Sequence, residues 1–282
     1  MTAPPVGGNG SGAPGAPTWR RPGTLVPLFL ALAPFAYHWR LFVPGPHRRW
    51  LEDGDFVDQF LAFASFEVAE LAAGRVPLWN PHAYAGSPFW ADVQAAVAYP
   101  PSLAVALLSA ATGGLRLAAL QAEAVAHLAL GALLMLALAR RLVGGWFGPA
   151  VAALCWSLGG YLTGYPMLQL AVLEAVVWLP VALLGADAAL GGRRTWPLLP
   201  LGLGMTVLAG HPQTALHVLY ATAAFVAWRA WPLGAGGASR RRALRRALPR
   251  LVAGATLGAG LSAAGWWPAL EFLALSNRAS AD

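Results

Sequence analysis

The stretch from Arg140 to Arg194, RRLVGGWFGPAVAALCWSLGGYLTGYPMLQLAVLEAVVWLPVALLGADAALGGRR, decides how this chain is to be read. Paired arginines stand at both ends, and no charged residue occurs from Leu142 to Leu173. A helix needs about 20 apolar residues to cross the ~30 Å hydrocarbon core of a bilayer. The interval therefore has room for two crossings, one from Trp146 to Thr163 and one from Pro166 to Leu190. The pattern extends outward in both directions. Thr195 to Trp228 is again free of Asp, Glu, Lys and Arg, and further arginine groups punctuate the chain at Arg20-Arg21, Arg48-Arg49 and Arg240 to Arg250. Composition agrees, with 57% hydrophobic residues, 11% charged residues and a mean hydropathy of +0.55. Soluble domains carry about 25% charged residues, so this chain has too few to cover a water-soluble globule.

Short arginine-rich loops stay on the cytoplasmic side of a membrane. Applied here, that rule predicts an all-α polytopic membrane protein with about seven transmembrane helices and a cytoplasmic N-terminus. The first span runs from Thr24 to Val43, and a long outside segment follows from Pro44 to Leu115. Arg116 to Ala139 returns to Arg140-Arg141, the two crossings above lead back to Arg193-Arg194, and Trp196 to Ala209 with Gln213 to Trp231 leads to a basic loop, Ser239 to Arg250. Leu251 to Leu270 is the last span. The apolar stretch Pro100 to Gly113 is short and reads as a re-entrant or interfacial helix, because a crossing there would turn the later arginine loops outward. Residues 1–18, rich in Pro and Gly, read as a disordered cytoplasmic tail, with one transmembrane module over 24–282.

The formal net charge is +7, and all 19 basic residues are arginine. Nucleic acid is excluded as a partner. The arginines of the Ser239–Arg250 loop have no interleaved aromatic residues on which bases could stack, and topology beside anionic headgroups accounts for them. The acids behave oppositely: Glu52, Asp53, Asp55, Asp58, Glu67, Glu70 and Asp92, seven of the 12, fall in one segment outside the membrane. Cys155 has no partner, so there is no disulfide framework.

Chemistry is expected in that acidic segment. Asp55 to Ala73 reads as an amphipathic interfacial helix, its arc of Phe56, Phe60, Phe63, Val68 and Leu71 turned toward acyl chains and Asp55, Asp58 and Gln59 opposite. Glu67 on the apolar arc and Phe66 on the polar one break the pattern. Asp55 is both an N-cap candidate and a catalytic or metal-binding candidate, while Asp58, Glu67 and Glu70 read individually as solvated. The irregular, proline-rich Pro77–Phe89 stretch carries Asn80 and His82, which either satisfy turn backbone or line a site, and leads on to Asp92. Irregular backbone near a bilayer must be buried in protein or line a wet cavity. His211 and Gln213, in Gly210-His211-Pro212-Gln213, sit at the outer turn between two spans. Glu174 lies inside a span, where an acid costs about 2.5–3.5 kcal/mol and is turned into the bundle. Glu123 and His127, four residues apart on one span, read as a helix-face pair.

The order of these motifs has a resemblance. Gly54-Asp55 with Gln59, then Leu78-Trp79-Asn80-Pro81, Gly86-Ser87-Pro88-Phe89, Tyr99-Pro100-Pro101 and Gly210-His211-Pro212-Gln213 together resemble the N-terminal part of YfhO-like bacterial membrane proteins. These belong to the GT-C class of polytopic glycosyltransferases, whose members are longer, so the chain looks C-terminally truncated against them. The resemblance implies a bacterial inner-membrane protein that transfers a sugar from a polyprenyl-phosphate donor to a cell-envelope glycan, lipid or protein acceptor. It makes Asp55 the candidate base and gives Asp92 the orientation of the acceptor or a share in holding a metal. Asp58, Gln59, Asn80, His82, Glu174, His211 and Gln213 are the candidate substrate contacts, and Arg278 is the candidate partner of the donor phosphate. Metal dependence varies across the class; a divalent metal is admitted and none is required. A secondary transporter, built on Glu174, Glu123 and His127, and a non-catalytic membrane scaffold are the alternatives. An intramembrane protease is not, because neither a Gly-x-Ser-x-Gly nucleophile nor paired intramembrane aspartates are present.

Overall fold

The computed structural model describes residues 22–46, 49, 51, 54–231 and 237–275. The predicted tail 1–18 lies outside the described residues, as does Arg278. Within them the chain is all-helical, the only strand-like pairing being an isolated bridge between Asn80 and Ser87. The helices are α1 (Pro22–Tyr37), α2 (Ala62–Ala72), α3 (Pro100–Ala111), α4 (Leu117–Leu142), α5 (Phe147–Leu158), α6 (Tyr165–Leu168), α7 (Leu170–Val176) and α8 (Leu179–Leu190), then α9 (Leu198–Leu208), α10 (Pro212–Ala230), α11 (Gly237–Leu261) and α12 (Ala263–Ala274).

Two helical stretches among the described residues are long and apolar enough to cross a bilayer: Leu117–Leu142, and Leu170–Leu190, where α7 and α8 run on through Val177-Trp178. The apolar helices α1, α3, α5 and α9 are shorter. At 1.5 Å per residue α3 and α5 are each about 18 Å long and α9 is shorter still, all short of the ~30 Å of hydrocarbon. Prolines and glycines set most breaks. Pro166 of α6 and Pro180 of α8 stand second in their helices and Pro212 first in α10, all in the first turn, where a missing N–H costs nothing. The basic segment Ser239–Arg250 is not a loop. It is the first half of α11, which continues without interruption to Leu261, and the predicted last span is broken at Ser262.

The main core joins Phe56 and Phe60 to Leu120, Ala124 and Leu128 of α4 and to Leu170, Leu173 and Val177. The apolar arc ahead of α2 is thus covered by the protein, not by acyl chains as expected. Burying a phenylalanine in this way is worth about 1.5–3 kcal/mol relative to water. Elsewhere the packing rests on small residues. A Cβ on Gly185 of α8 would stand 2.0 Å from the Leu199 nitrogen, and one on Gly202 of α9 would stand 2.5 Å from the Ala182 nitrogen. Gly254 and Gly258 admit Leu199 and Leu203 of α9 against α11 in the same way. Such glycine-mediated backbone approach is how helices associate where no water drives them together.

Three arginines expected on one side of the membrane meet at one point. Asp187 near the end of α8 accepts from Arg141 Nε at 2.9 Å, from Arg229 Nη2 at 2.6 Å, and from Arg193. The acidic segment lies elsewhere, against the opposite ends of α4 and α10.

Candidate functional site

Before α2 the chain is wound as a π-helix, Phe56–Leu61, whose wider turn carries Asp58 and Gln59. Opposite them the Asn80–Ser87 bridge pins a tight loop: Asn80 N–H donates to Ser87 O at 2.8 Å and Ser87 N–H returns to Asn80 O at 2.9 Å. The buried Asn80 side chain accepts from His82 N–H at 2.9 Å, so the turn-satisfying role expected of Asn80 is present. Phe66 packs edge-on against Phe89 and His82, with centroids 4.8 and 6.2 Å away, clamping loop to helix. Between them lies an outer cavity of about 680 Å³ lined by Asp58, Gln59, Asn80, His82, Asp92 and Gln94, among others. Tyr84 hangs over it, 97% exposed at a left-handed φ of 52°, a conformation costly for a side chain of its size.

Asp92 is also on the wall of a second cavity, of about 230 Å³, between Trp90, Val97, the outer ends of α9 and α10, and Trp266. That cavity is mostly apolar. Asp92 caps the 3-10 turn Val93–Ala95 by accepting from Gln94 N–H at 3.0 Å, and Gln94 Oε1 accepts from Gln59 Nε2 at 2.9 Å. Burial pushes the Asp92 carboxyl above its ordinary value, and backbone hydrogen bonds from Gln94 and Ala95 oppose the shift without cancelling it. The turn after Asp92 is seated on Gly210. A Cβ there would lie 1.9 Å from Val93 O, and its φ of 81° also favours glycine.

Deeper in the bundle is a third cavity, of about 40 Å³, sharing Phe63 and Gln94 with the outer one. Glu67 of α2, Glu123 of α4, Glu174 of α7 and Ser102 of α3 line it. Ser102 donates to Glu174 Oε1 at 2.9 Å. The Glu67 carboxyl is pushed up to about 8, first by burial and then by the neighbouring Glu123 charge. Beside the cavity a chain of donors fixes the His127 tautomer. His127 Nδ1–H donates to the Glu123 carbonyl at 2.9 Å, which leaves Nε2 to accept from Tyr99 Oη at 2.8 Å, while Trp178 Nε1–H donates to Tyr99 Oη at 2.8 Å. The predicted Glu123–His127 pair is therefore made through the Glu123 backbone and not its carboxylate.

The structure brings together Asp58, Gln59, Asn80, His82 and Asp92 in the outer cavity. Asp55 starts the π-helix, is exposed, makes no side-chain cap, and lines none of the three cavities. His211 caps α10, its Nδ1 accepting from Thr214 N–H at 3.2 Å and Oγ1–H at 2.8 Å, and Gln213 beside it is exposed. Glu174 is in the inner cavity, apart from the outer residues. Glu67 is buried, not solvated as expected; its place on the apolar arc was the signal. Glu70 is held below its usual carboxyl range by a hydrogen bond from Arg75. Gln94 and Tyr99 stand in the segment that the sequence marks out, but no spacing signature gives their roles, the bond from Gln59 and the bonds to His127 and Trp178. Among the described residues the one group of three His, Cys, Asp or Glu ligand atoms within 4.8 Å of one another is Glu123, His127 and Glu174. Neither a family model, a curated protein nor a solved structure matches the chain.

Proposed function

We propose that this chain is a multi-pass membrane protein of glycosyltransferase type, which moves a sugar from a polyprenyl-phosphate donor to an acceptor hydroxyl at the outer face. One observation carries the reading: Asp92 stands at the boundary between a polar cavity and an apolar one. A lipid-linked sugar has that duality, with a prenyl chain suited to the cleft at Trp90 and Trp266 and a polar head suited to Asp58, Asn80 and His82. In the reaction the acceptor O–H gives its proton to the carboxylate as the oxygen attacks the anomeric carbon. The bond from that carbon to the phosphate oxygen breaks, and polyprenyl phosphate leaves with the electron pair. A carboxyl whose pKa is raised by burial is better matched to that task than an exposed one, which moves the base from Asp55 to Asp92. Tyr84 offers an aromatic face to a sugar ring.

The placement of this site at the outer face of an inner membrane rests on the seven-span weave and on the arginine ring around Asp187, which suits the cytoplasmic side. Exposed apolar side chains such as Leu28, Phe29 and Leu32 of α1, with Leu216 and Leu219 of α10, suit acyl chains. The secondary-transporter reading is favoured by one observation, the buried acid Glu174 on the short, interrupted helix α7, a placement typical of coupling sites.

The test is transfer by the full chain in proteoliposomes, supplied with radiolabelled polyprenyl-phosphate hexose and pentose donors and read as released polyprenyl phosphate. Asp92→Asn should lower the rate by about 10²- to 10⁴-fold, the range of a lost general base. The wild-type rate should rise with pH through a value above the ordinary carboxylate range, because burial holds Asp92 protonated there, and Asp92→Asn should lose that limb. A larger loss from Asp55→Asn than from Asp92→Asn would return the base to Asp55. Sugar uptake without donor turnover would support the transporter instead.

A further inference from the structure

The end of the bundle opposite the acidic cavities carries more positive charge than its own acids can neutralise. Asp187 holds Arg141, Arg193 and Arg229, whose side chains are each still more than a third exposed. One carboxylate against three guanidiniums leaves the cluster with an excess of two positive charges. From Arg140 to Arg250 the sequence holds only one other acid, Glu174, and that is buried at the inner cavity. Arg250 of α11 comes to the same place: a Cβ on Gly192, just past α8, would stand 3.7 Å from its Nη1. Beside this cluster an apolar groove of about 610 Å³ opens between α10 and α11, with Leu199 and Leu203 of α9 as its floor. Arg229 is followed by Ala230 and Trp231 on one wall, and Arg250 by Leu251 on the other. Apart from Thr222 and the Trp231 indole, the side chains lining the groove are aliphatic.

We propose that this groove and the arginines at its mouth form a binding site for an anionic glycerophospholipid of the cytoplasmic leaflet. An acyl chain lies in the groove, and the phosphate meets Arg229, Arg193 and Arg250. The dimensions select such an occupant. Along α10 the groove runs from Leu219 to Trp231, about 18 Å at 1.5 Å per residue, which is close to the depth of one leaflet, half of the ~30 Å of hydrocarbon. The charge selects it too. Guanidiniums offer paired donors to phosphate oxygens, and basic pockets between membrane helices on the cytoplasmic side hold anionic headgroups. Trp228 and Trp231, 63% and 65% exposed, mark the headgroup level at that end, and the Arg229 guanidinium lies 5.7 Å from the centroid of the Trp228 ring. A second copy of the chain fits less well, because the elements that form this end have no carboxylate to spare for the arginines. The inference rests on the reading above only for a chain embedded in a bilayer with its Asp187 end toward the cytoplasm. Sugar donor and acceptor have no part in it, and its experiment uses neither.

The full chain, delipidated in a neutral detergent, is titrated with phosphatidylglycerol and with phosphatidylcholine of the same acyl chains, and the lipids it retains are counted by native mass spectrometry. One phosphatidylglycerol per chain is expected, preferred over phosphatidylcholine by about tenfold or more, since each arginine near a headgroup changes affinity about fivefold. Glycerol phosphate, which has the phosphate and no acyl chain, should not displace it at equal concentration. Ala227→Phe, which fills the groove away from Asp187, should lose the held lipid while melting as wild type does. Arg250→Gln should weaken phosphatidylglycerol about fivefold and leave phosphatidylcholine unchanged. Arg75→Gln, at the outer end beside Glu70, should hold the lipid as wild type. The comparison of the two lipids on the wild type needs no variant, and equal retention of both there overturns the proposal. So does displacement by glycerol phosphate, unchanged retention in Ala227→Phe, or a loss in Arg75→Gln equal to that in Arg250→Gln. A wild type that stays dimeric and takes up neither lipid would assign the groove to a second copy instead.

Discussion

Tyr99 has its hydroxyl between two nitrogens, donating to His127 Nε2 while accepting from Trp178 Nε1–H, and its side chain is fully buried. Removing that oxygen would strand the buried His127 Nε2 and take the partner from half-buried Trp178, and a stranded buried polar group costs about 1–3 kcal/mol. Tyr99→Phe is therefore expected to destabilise the protein by about that amount in denaturant unfolding, although phenylalanine fills the same space. Unchanged stability would mean that water or another group already serves His127. The role was invisible in the sequence, because Tyr99-Pro100-Pro101 announces only a helix start. Glu67 is different. Its position on an apolar arc was legible, but a single acid in an amphipathic pattern looks like noise until the acids of α4 and α7 are placed opposite it. Asp92 was legible as a candidate and Asp55 as its rival; only the path of the Val93–Ala95 turn separates a carboxylate between two cavities from one facing solvent.

At the scale of elements, the helix from Asp55 to Ala72 shows why pattern and packing part company. Its apolar arc was identified correctly, yet its partner is α4 and not the acyl chains, because the Pro77–Phe89 loop folds back over the helix and covers its other side. Phe66, the aromatic on the polar side, is the residue on which that loop closes through Phe89 and His82. Gly210 is the second such contact, where the turn between α9 and α10 meets Val93 O with no room for a side chain. Gly210→Ala should push the Asp92 turn away, lowering transfer while leaving the α8–α9 packing at Gly185 and Gly202 untouched. The expected signature is faster hydrogen exchange confined to residues 90–98, together with a cost of about 1–3 kcal/mol from overpacking. Exchange that rises evenly along the chain would show that Gly210 supports the bundle as a whole and not the site. The span expected from Pro166 to Leu190 is interrupted at Gln169, and its continuous part is Leu170–Leu190. The basic segment was read as a loop because arginine density resembles a loop more than it resembles the start of α11.

For the whole molecule, the question is which end faces which compartment, and Asp187 gives it a physical basis. A carboxylate 2% exposed that holds Arg141, Arg193 and Arg229 gathers the ends of α4 and α10 and the turn after α8 into one cluster. That cluster cannot be distributed across the two faces of a membrane. Arg141, Arg193 and Arg229 are thus one structural unit, which suits the cytoplasmic side where basic loops are retained, and the cavities at Asp92 lie at the other end. The orientation can be measured because the chain has a single cysteine, Cys155, which is exposed. In a Cys155→Ser background, Ser65→Cys places a thiol on the outer cavity wall, and Arg194→Cys places one on an exposed position beside the Asp187 cluster. A membrane-impermeant maleimide should label Ser65→Cys in intact cells and label Arg194→Cys only after permeabilisation. Labelling of Arg194→Cys in intact cells would invert the weave, put the acidic cavities in the cytoplasm and remove the extracytoplasmic acceptor from the reading. Labelling of both positions in intact cells would mean that the helices lie along the bilayer surface without crossing it. The Asp187 cluster makes the first outcome the expected one, since moving three arginines and their shared carboxylate across hydrocarbon costs far more than retaining them.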